Sequence, residues 1–125
     1  TVGLLPCGLG TQHLPWLVGE GWAKRMILCG ERVDADTALS IGLIEEVVEK
    51  GQSLERSLAL AAMTGNQSPT SVSACKRLIM AARTDHMETA LANERDEFVA
   101  LFSTADQEEG VNAFLGKRKP IWKNA

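Results

Sequence analysis

Start and stop signals for helices recur at short intervals along this chain, and they restrict it to a series of short helices. Asp34 is a good N-cap and Gly42 a left-handed stop, which frames a helix through Ser40. Ser68-Pro69 joins an N-cap to a proline suited to the first helical turn, while Ser53, Thr84-Asp85 and Ser103 or Thr104 open further helices. Gly65-Asn66-Gln67 breaks the helix begun at Ser53, and Gly116 with Pro120 ends the last one. Between these signals apolar residues fall at helical spacing, as in Leu54, Leu58, Ala61 and Ala62, then Val72, Cys75, Leu78, Ile79 and Ala82, then Met87, Leu91, Phe98, Leu101 and Phe102. These stripes are expected to face inward, with Cys75 in the core and Glu94, Arg95, Asp96 and Glu97 in solvent.

The first part of the chain is less regular. Thr1 to Leu5 is an apolar run closed by Pro6, and Leu43 to Val48 is rich in β-branched residues, so each is expected to form a short strand. Gly8 and Gly10 make a turn after the first run. From Leu14 the residues Leu17, Val18, Trp22 and Met26 are spaced for a helix, but Gly19 and Gly21 predict two short helices meeting near Gly19. A glycine turn running into a helix start gathers unpaired backbone N–H groups, a setting that suits an anion or a polarised carbonyl. The expected fold class is mainly α with one or two short strands. Residue 1 is not Met and lies inside a strand-like run, so further chain is expected before Thr1.

Composition narrows the function classes. With 125 residues, 45% of them hydrophobic, the chain can build a core of modest size. A net charge of −3 provides no general field for nucleic acid or an anionic membrane, and no apolar run is long enough to span one. Neither partner is expected. Cys7, Cys29 and Cys75 are odd in number and widely spaced, which fits a reduced, cytoplasmic setting, and neither they nor the isolated His13 and His86 have metal-ligand spacing. Glu45-Glu46 and Glu108-Glu109 are neighbours whose side chains diverge, so neither pair forms an acid/base couple. Asp106, Glu108 and Glu109 suit the positive end of the last helix, and Lys117, Arg118 and Lys119 follow its negative end. Read from residues alone, the opening loop is a structural turn or a ligand cradle, and the basic tail is most simply a solvated helix end. Phe98, Phe102, Phe114 and Trp122 place most of the aromatics in the last third, where packing against something large is expected.

The order of motifs carries more information than any one of them. Gly3-x-x-Pro6, Gly10-Thr11-Gln12-x-Leu14-Pro15-x-Leu17-Val18-Gly19 and Gly30-x-x-Val33-x-Ala35-x-x-Ala38-x-x-x-Gly42-Leu43-Ile44 come first. Ser68-Pro69 with Lys76 and Thr104-x-Asp106-x-x-Glu109-Gly110-x-x-Ala113-Phe114-x-x-Lys117-Arg118-x-Pro120 follow. In this register the whole chain resembles the C-terminal half of the enoyl-CoA hydratase/isomerase (crotonase) family. The resemblance implies the C-terminal helical half of an α/β crotonase fold. Residues 1–50 would end the crotonase core, and residues 51–125 would form a helical oligomerisation and CoA-binding region.

The family's chemistry follows from a general principle. Two backbone N–H groups hold the thioester carbonyl of an acyl-CoA and stabilise the enolate-like charge of the reaction, and in hydratases two glutamates manage the water and the α-carbon proton. The resemblance places those N–H donors and the first glutamate well upstream, and the second glutamate two residues before Thr1. No catalytic residue is therefore expected in this chain, and as a separate piece it should be inactive. What it should carry is substrate-binding parts: Cys7, Gly8 and Gly10 match the glycine-rich loop that lines the thioester, Phe114 matches a pocket-lining position, and Lys117 matches a lysine that reaches the CoA phosphates. Cys7 and Leu9 stand where the family usually has glycine, and a side chain at either position is expected to restrict φ there. The resemblance implies no tightly bound cofactor, coenzyme A being part of the substrate, and assembly as a homo-oligomer, a trimer or hexamer. Two other readings of the residues are a truncated, non-catalytic oligomerisation or acyl-CoA-binding module, and a helical interaction domain with no CoA role.

Overall fold

The computed structural model describes residues 3–125. It divides into two compact units, Thr1–Ser53 and Leu54–Ala125. The first contains α1 (Gly10–Leu28) and α2 (Ala35–Ser40). From the boundary onward run α3 (Ser53–Thr64), α4 (Pro69–Ala81), α5 (Met87–Leu101) and α6 (Ala105–Leu115).

No strand forms among the described residues. The first expected strand begins at Thr1 and Val2, outside the described residues, and its remainder from Gly3 to Leu5 is irregular, as is the whole of the second, Leu43 to Val48. A ladder needs a neighbour to supply its backbone hydrogen bonds. Neither segment has one among the described residues, so β-branched composition records fitness for a sheet rather than a sheet itself.

In the first unit α1 is two helices, as the glycines predicted. Gly19 breaks it with φ 78° and ψ 160°, and Val18 and Ala23 are buried to either side. At its end Arg25 stacks over the Trp22 ring at 4.0 Å and forks onto Glu31, while the Glu31 N–H donates to the Arg25 carbonyl. The Asp34 side chain accepts the Thr37 N–H at 2.8 Å and starts α2. That helix closes with a Schellman turn, in which the Gly42 N–H donates to the Leu39 carbonyl and the Leu43 N–H to the Ala38 carbonyl. Gly42 is required twice over. Its φ is 76°, and a Cβ there would stand 3.3 Å from the Leu17 carbonyl oxygen.

In the second unit Ser68 caps α4 by accepting the Ser71 N–H at 3.4 Å, with Pro69 as the first helical residue. Arg77 on α4 forks onto Glu97 of α5 at 3.0 and 2.8 Å, joining the two as an antiparallel pair. Glu97, expected in solvent, is half-buried by that pairing. The expected apolar stripes are only partly covered: Val72, Leu78 and Leu101 are half-buried, but Ile79 is 68% exposed, Leu91 56% and Phe98 61%, and Cys75 is exposed as well. Ala74 is the buried residue of α4. The physical reason is that an amphipathic helix hides its stripe only against another apolar surface. Here the groove between α4 and α5 is lined by Leu78, Ala81, Ala100 and the Arg77–Glu97 pair, while Ile79, Leu91 and Phe98 stay outside it.

Helix α6 starts where Thr104 accepts the Gln107 N–H at 3.1 Å. Asp106 and Ala113 are its buried residues, with Gly110 between them, and residues 119–125 lie along this face. The Trp122 ring passes so close to Gly110 that a Cβ there would be 3.4 Å from it, and the Trp122 Nε1–H donates to the Asn66 carbonyl at 3.0 Å.

Candidate functional site

The loop from Pro6 to Gly10 owes its course to two left-handed residues in succession, Gly8 at φ 67° and Leu9 at φ 73°. The Leu9 carbonyl then accepts the Gln12 and His13 N–H groups at 2.9 and 2.8 Å and begins α1. Unlike α2 and α6, this helix has neither a side-chain cap nor an acid in its first turn. Ahead of the Gln12 N–H, which the Leu9 carbonyl takes, its first N–H groups suit an outside acceptor. Gly10 is glycine for a different reason: a Cβ there would stand 3.0 Å from the Pro6 ring. Cys7 is exposed, and no group of His, Cys, Asp and Glu suited to a metal occurs among the described residues.

The expected restriction by a side chain at position 9 does not keep the loop from turning. Leu9 takes up the conformation that glycine would adopt freely, at a cost of about 1 kcal/mol. Leu9→Gly is therefore expected to raise stability by about 0.5 kcal/mol, the relief being partly offset by the greater freedom of glycine in the unfolded chain. Gly8→Ala, with open space around it but φ at 67°, should lower stability by about 1 kcal/mol. Urea denaturation of both variants measures the pair of signs.

The second candidate region is the end of α6. Gly116 is its C-cap, and the next residue, Lys117, has φ 50°. The Lys117 N–H donates to the Phe114 carbonyl at 3.2 Å and the Arg118 N–H to the Ala113 carbonyl at 3.0 Å. This is the Schellman turn of α2 again, with lysine in the place that Gly42 fills there. Phe114 is 83% exposed, so it is not the core residue that a helical phenylalanine most simply suggests, and Lys117 is exposed beside it.

Two of the acids expected to suit the helix dipole have further roles. Asp106 is 1% exposed; its Oδ1 accepts the Lys123 and Asn124 N–H groups at 2.7 and 3.1 Å, and its Oδ2 accepts the Ser68 hydroxyl at 3.2 Å. Glu109 takes both arms of Arg118 and also the Ile121 N–H at 2.7 Å. Arg118 first, and then the Ile121 N–H, hold the Glu109 carboxyl down at about 2 against an ordinary 4.5. Because the folded value is depressed, this clamp favours the fold fully above pH 4.5 and is lost as pH falls toward 2. The signal was present in the sequence as the fixed spacing of Asp106, Glu109, Gly110 and Arg118, but nothing local shows that these residues fasten a tail.

The structure thus brings Phe114 and Lys117 together on one turn of the second unit, and Cys7, Gly8 and Gly10 on one loop of the first. A cavity of about 400 Å³ lies between α4 and α5 and contains none of these residues. Carboxyls with shifted pKa values move downward, Glu20 through Lys24, Asp34 through Thr37, Glu97 through Arg77 and Glu109 through Arg118. An acid poised for proton transfer near neutral pH needs the opposite push.

The chain superimposes on Pseudomonas aeruginosa DspI with a TM-score of 0.93 and 59% identity, covering 98% of this chain and 47% of that one. Enoyl-CoA hydratase from Bacillus anthracis gives a TM-score of 0.93 at 32% identity, covering 98% and 48%. The fold is the C-terminal helical half of a crotonase fold. The family profile described as Enoyl-CoA hydratase/isomerase matches residues 1–125, and the chain belongs to that family. Among curated relatives, 2,3-dehydroadipyl-CoA hydratase of Escherichia coli is 37% identical over 123 residues, covering 98% of this chain and 48% of the relative. The chain spans about half the length of the curated relatives it matches, and the matched part is their C-terminal half.

Proposed function

We propose that this chain is the CoA-binding, helical part of a subunit that acts on an enoyl-CoA thioester, adding water to its double bond or isomerising it by enolate stabilisation. The observation that carries this reading is Lys117, an exposed lysine in a left-handed conformation that a Schellman turn closes. Strain retained at an exposed cationic residue points to a use for its side chain. Lys117 reaches a CoA phosphate, and Phe114, one turn back, lines the acyl or pantetheine channel. The loop of Cys7, Gly8 and Gly10 forms one wall of the thioester pocket, with the open N–H groups of α1 turned to an oxygen of the substrate or the reacting water.

The catalytic acids belong to other parts of the complete subunit. No cofactor beyond the coenzyme A of the substrate takes part. Residues 1–50 serve the pocket, and residues 51–125 serve CoA binding and assembly into a trimer or hexamer, in which the exposed stripe of Ile79, Leu91 and Phe98 is covered. The cytoplasm is the compartment, and no described helix is long and apolar enough to cross a membrane. A second reading is a truncated, non-catalytic helical oligomerisation or acyl-CoA-binding module.

Crotonyl-CoA separates the two readings. The complete subunit is expected to consume the enoyl thioester, while residues 1–125 alone show no turnover. Turnover by the purified 125-residue chain would defeat the assignment of catalysis to the rest of the subunit. A complete subunit inert toward enoyl-CoA esters of every chain length would favour the module.

A further inference from the structure

Three points of the turn after α6 are fastened, directly or through Arg118, to one carboxyl group. Glu109 receives both guanidinium arms of Arg118 and the Ile121 N–H, and Arg118 Nη1 passes a further hydrogen bond to the Lys119 carbonyl at 3.2 Å. Lys117 stands at the entrance of the loop so closed, with φ 50°. A lone lysine in that conformation lies about 1 kcal/mol above its preferred basin, so it stays there only while its surroundings hold it. Its own two Schellman hydrogen bonds do part of this. The neighbouring residue Arg118 does the rest, because its side chain is anchored two helical turns back on α6.

Charge adds a second effect. Arg118 is a better phosphate ligand than lysine, able to bind two oxygens at once, and it lies next to Lys117 in the chain. Paired in a fork with Glu109, it is already committed.

We propose that Glu109 is a positioning residue for the CoA-phosphate contact, holding the Lys117 backbone in the conformation that aims its ammonium. This rests on the reading of Lys117 as a phosphate contact. Glu109 touches no part of the substrate and acts through Arg118 and Ile121.

The test compares the affinity of the complete subunit for CoA and for 3′-dephospho-CoA. Glu109→Ala removes the whole clamp, and Glu109→Gln keeps an oxygen for the Ile121 N–H while losing the charge that holds Arg118. Glu109→Ala is expected to weaken CoA binding about fivefold and 3′-dephospho-CoA binding less than about twofold, with Glu109→Gln between parent and Ala. In a Lys117→Ala background Glu109→Ala should cause no further loss. Equal losses for both ligands, a loss that persists without Lys117, or tighter CoA binding through a freed Arg118 would each overturn the proposal. If Lys117→Ala alone leaves the preference for CoA over 3′-dephospho-CoA unchanged, the phosphate reading itself fails and the proposal with it. If Lys117→Ala removes that preference while Glu109→Ala and Glu109→Gln leave it intact, only the positioning role is lost.

Discussion

Asp106→Ala is expected to cost about 3 kcal/mol of stability and to release the last residues of the chain from α6. Its carboxyl group is buried and accepts three hydrogen bonds, from the Lys123 and Asn124 N–H groups and from the Ser68 hydroxyl. Hydrogen bonds to a charged group contribute about 1.5–3 kcal/mol each where the partners stay buried. The two tail N–H groups recover water once the tail lifts, which brings the sum down to the smaller figure. The loss extends beyond the carboxyl: without that anchor Trp122 leaves Gly110 and the Asn66 carbonyl, and Ser68 loses the partner of the hydroxyl that caps α4. Asp106→Asn keeps an acceptor oxygen and should cost about 1 kcal/mol. Urea midpoints and limited proteolysis at the C-terminus would measure both effects, and an Ala variant as stable as the parent would show that the tail is not held there.

The second large effect separates folding from binding at one residue. Lys117→Gly places glycine in the left-handed position of the Schellman turn, as at Gly42, and should raise stability by about 0.5 kcal/mol. The same change removes the ammonium proposed to meet a CoA phosphate. A charged hydrogen bond at so exposed a site contributes about 1.4 kcal/mol, so CoA affinity should fall about tenfold. Lys117→Ala should lose the affinity without the gain in stability. A glycine variant that is both more stable and unchanged in affinity would make Lys117 a solvated helix end.

Local chemistry was legible in the sequence, and long-range chemistry was not. Asp34, Ser68 and Thr104 cap their helices as expected, Gly42 closes α2, and Gly19 breaks α1, because each acts on residues no more than a few positions away. The strand at Leu43 to Val48 failed for want of a partner, and Ile79, Leu91 and Phe98 of the α4 and α5 stripes stay exposed for the same reason. Asp106 does lie in the first turn of α6 as expected, but that it and Glu109 fasten the tail was not legible, since that tail lies up to 18 residues further along. The left-handed turn at Lys117 was hidden because the residue there is not glycine. Of the candidate site, the identities came from the resemblance, whereas the backbone strain at Leu9 and Lys117 emerged only from the structure.

Kinetics of Lys117→Ala in the complete subunit, on an enoyl-CoA that the subunit turns over, test most directly whether this half of the molecule binds while the rest reacts. A contact to the CoA phosphate that is the same in substrate and transition state should raise KM about tenfold and leave kcat unchanged. A fall in kcat with KM unchanged would place Lys117 in the chemistry and contradict that division.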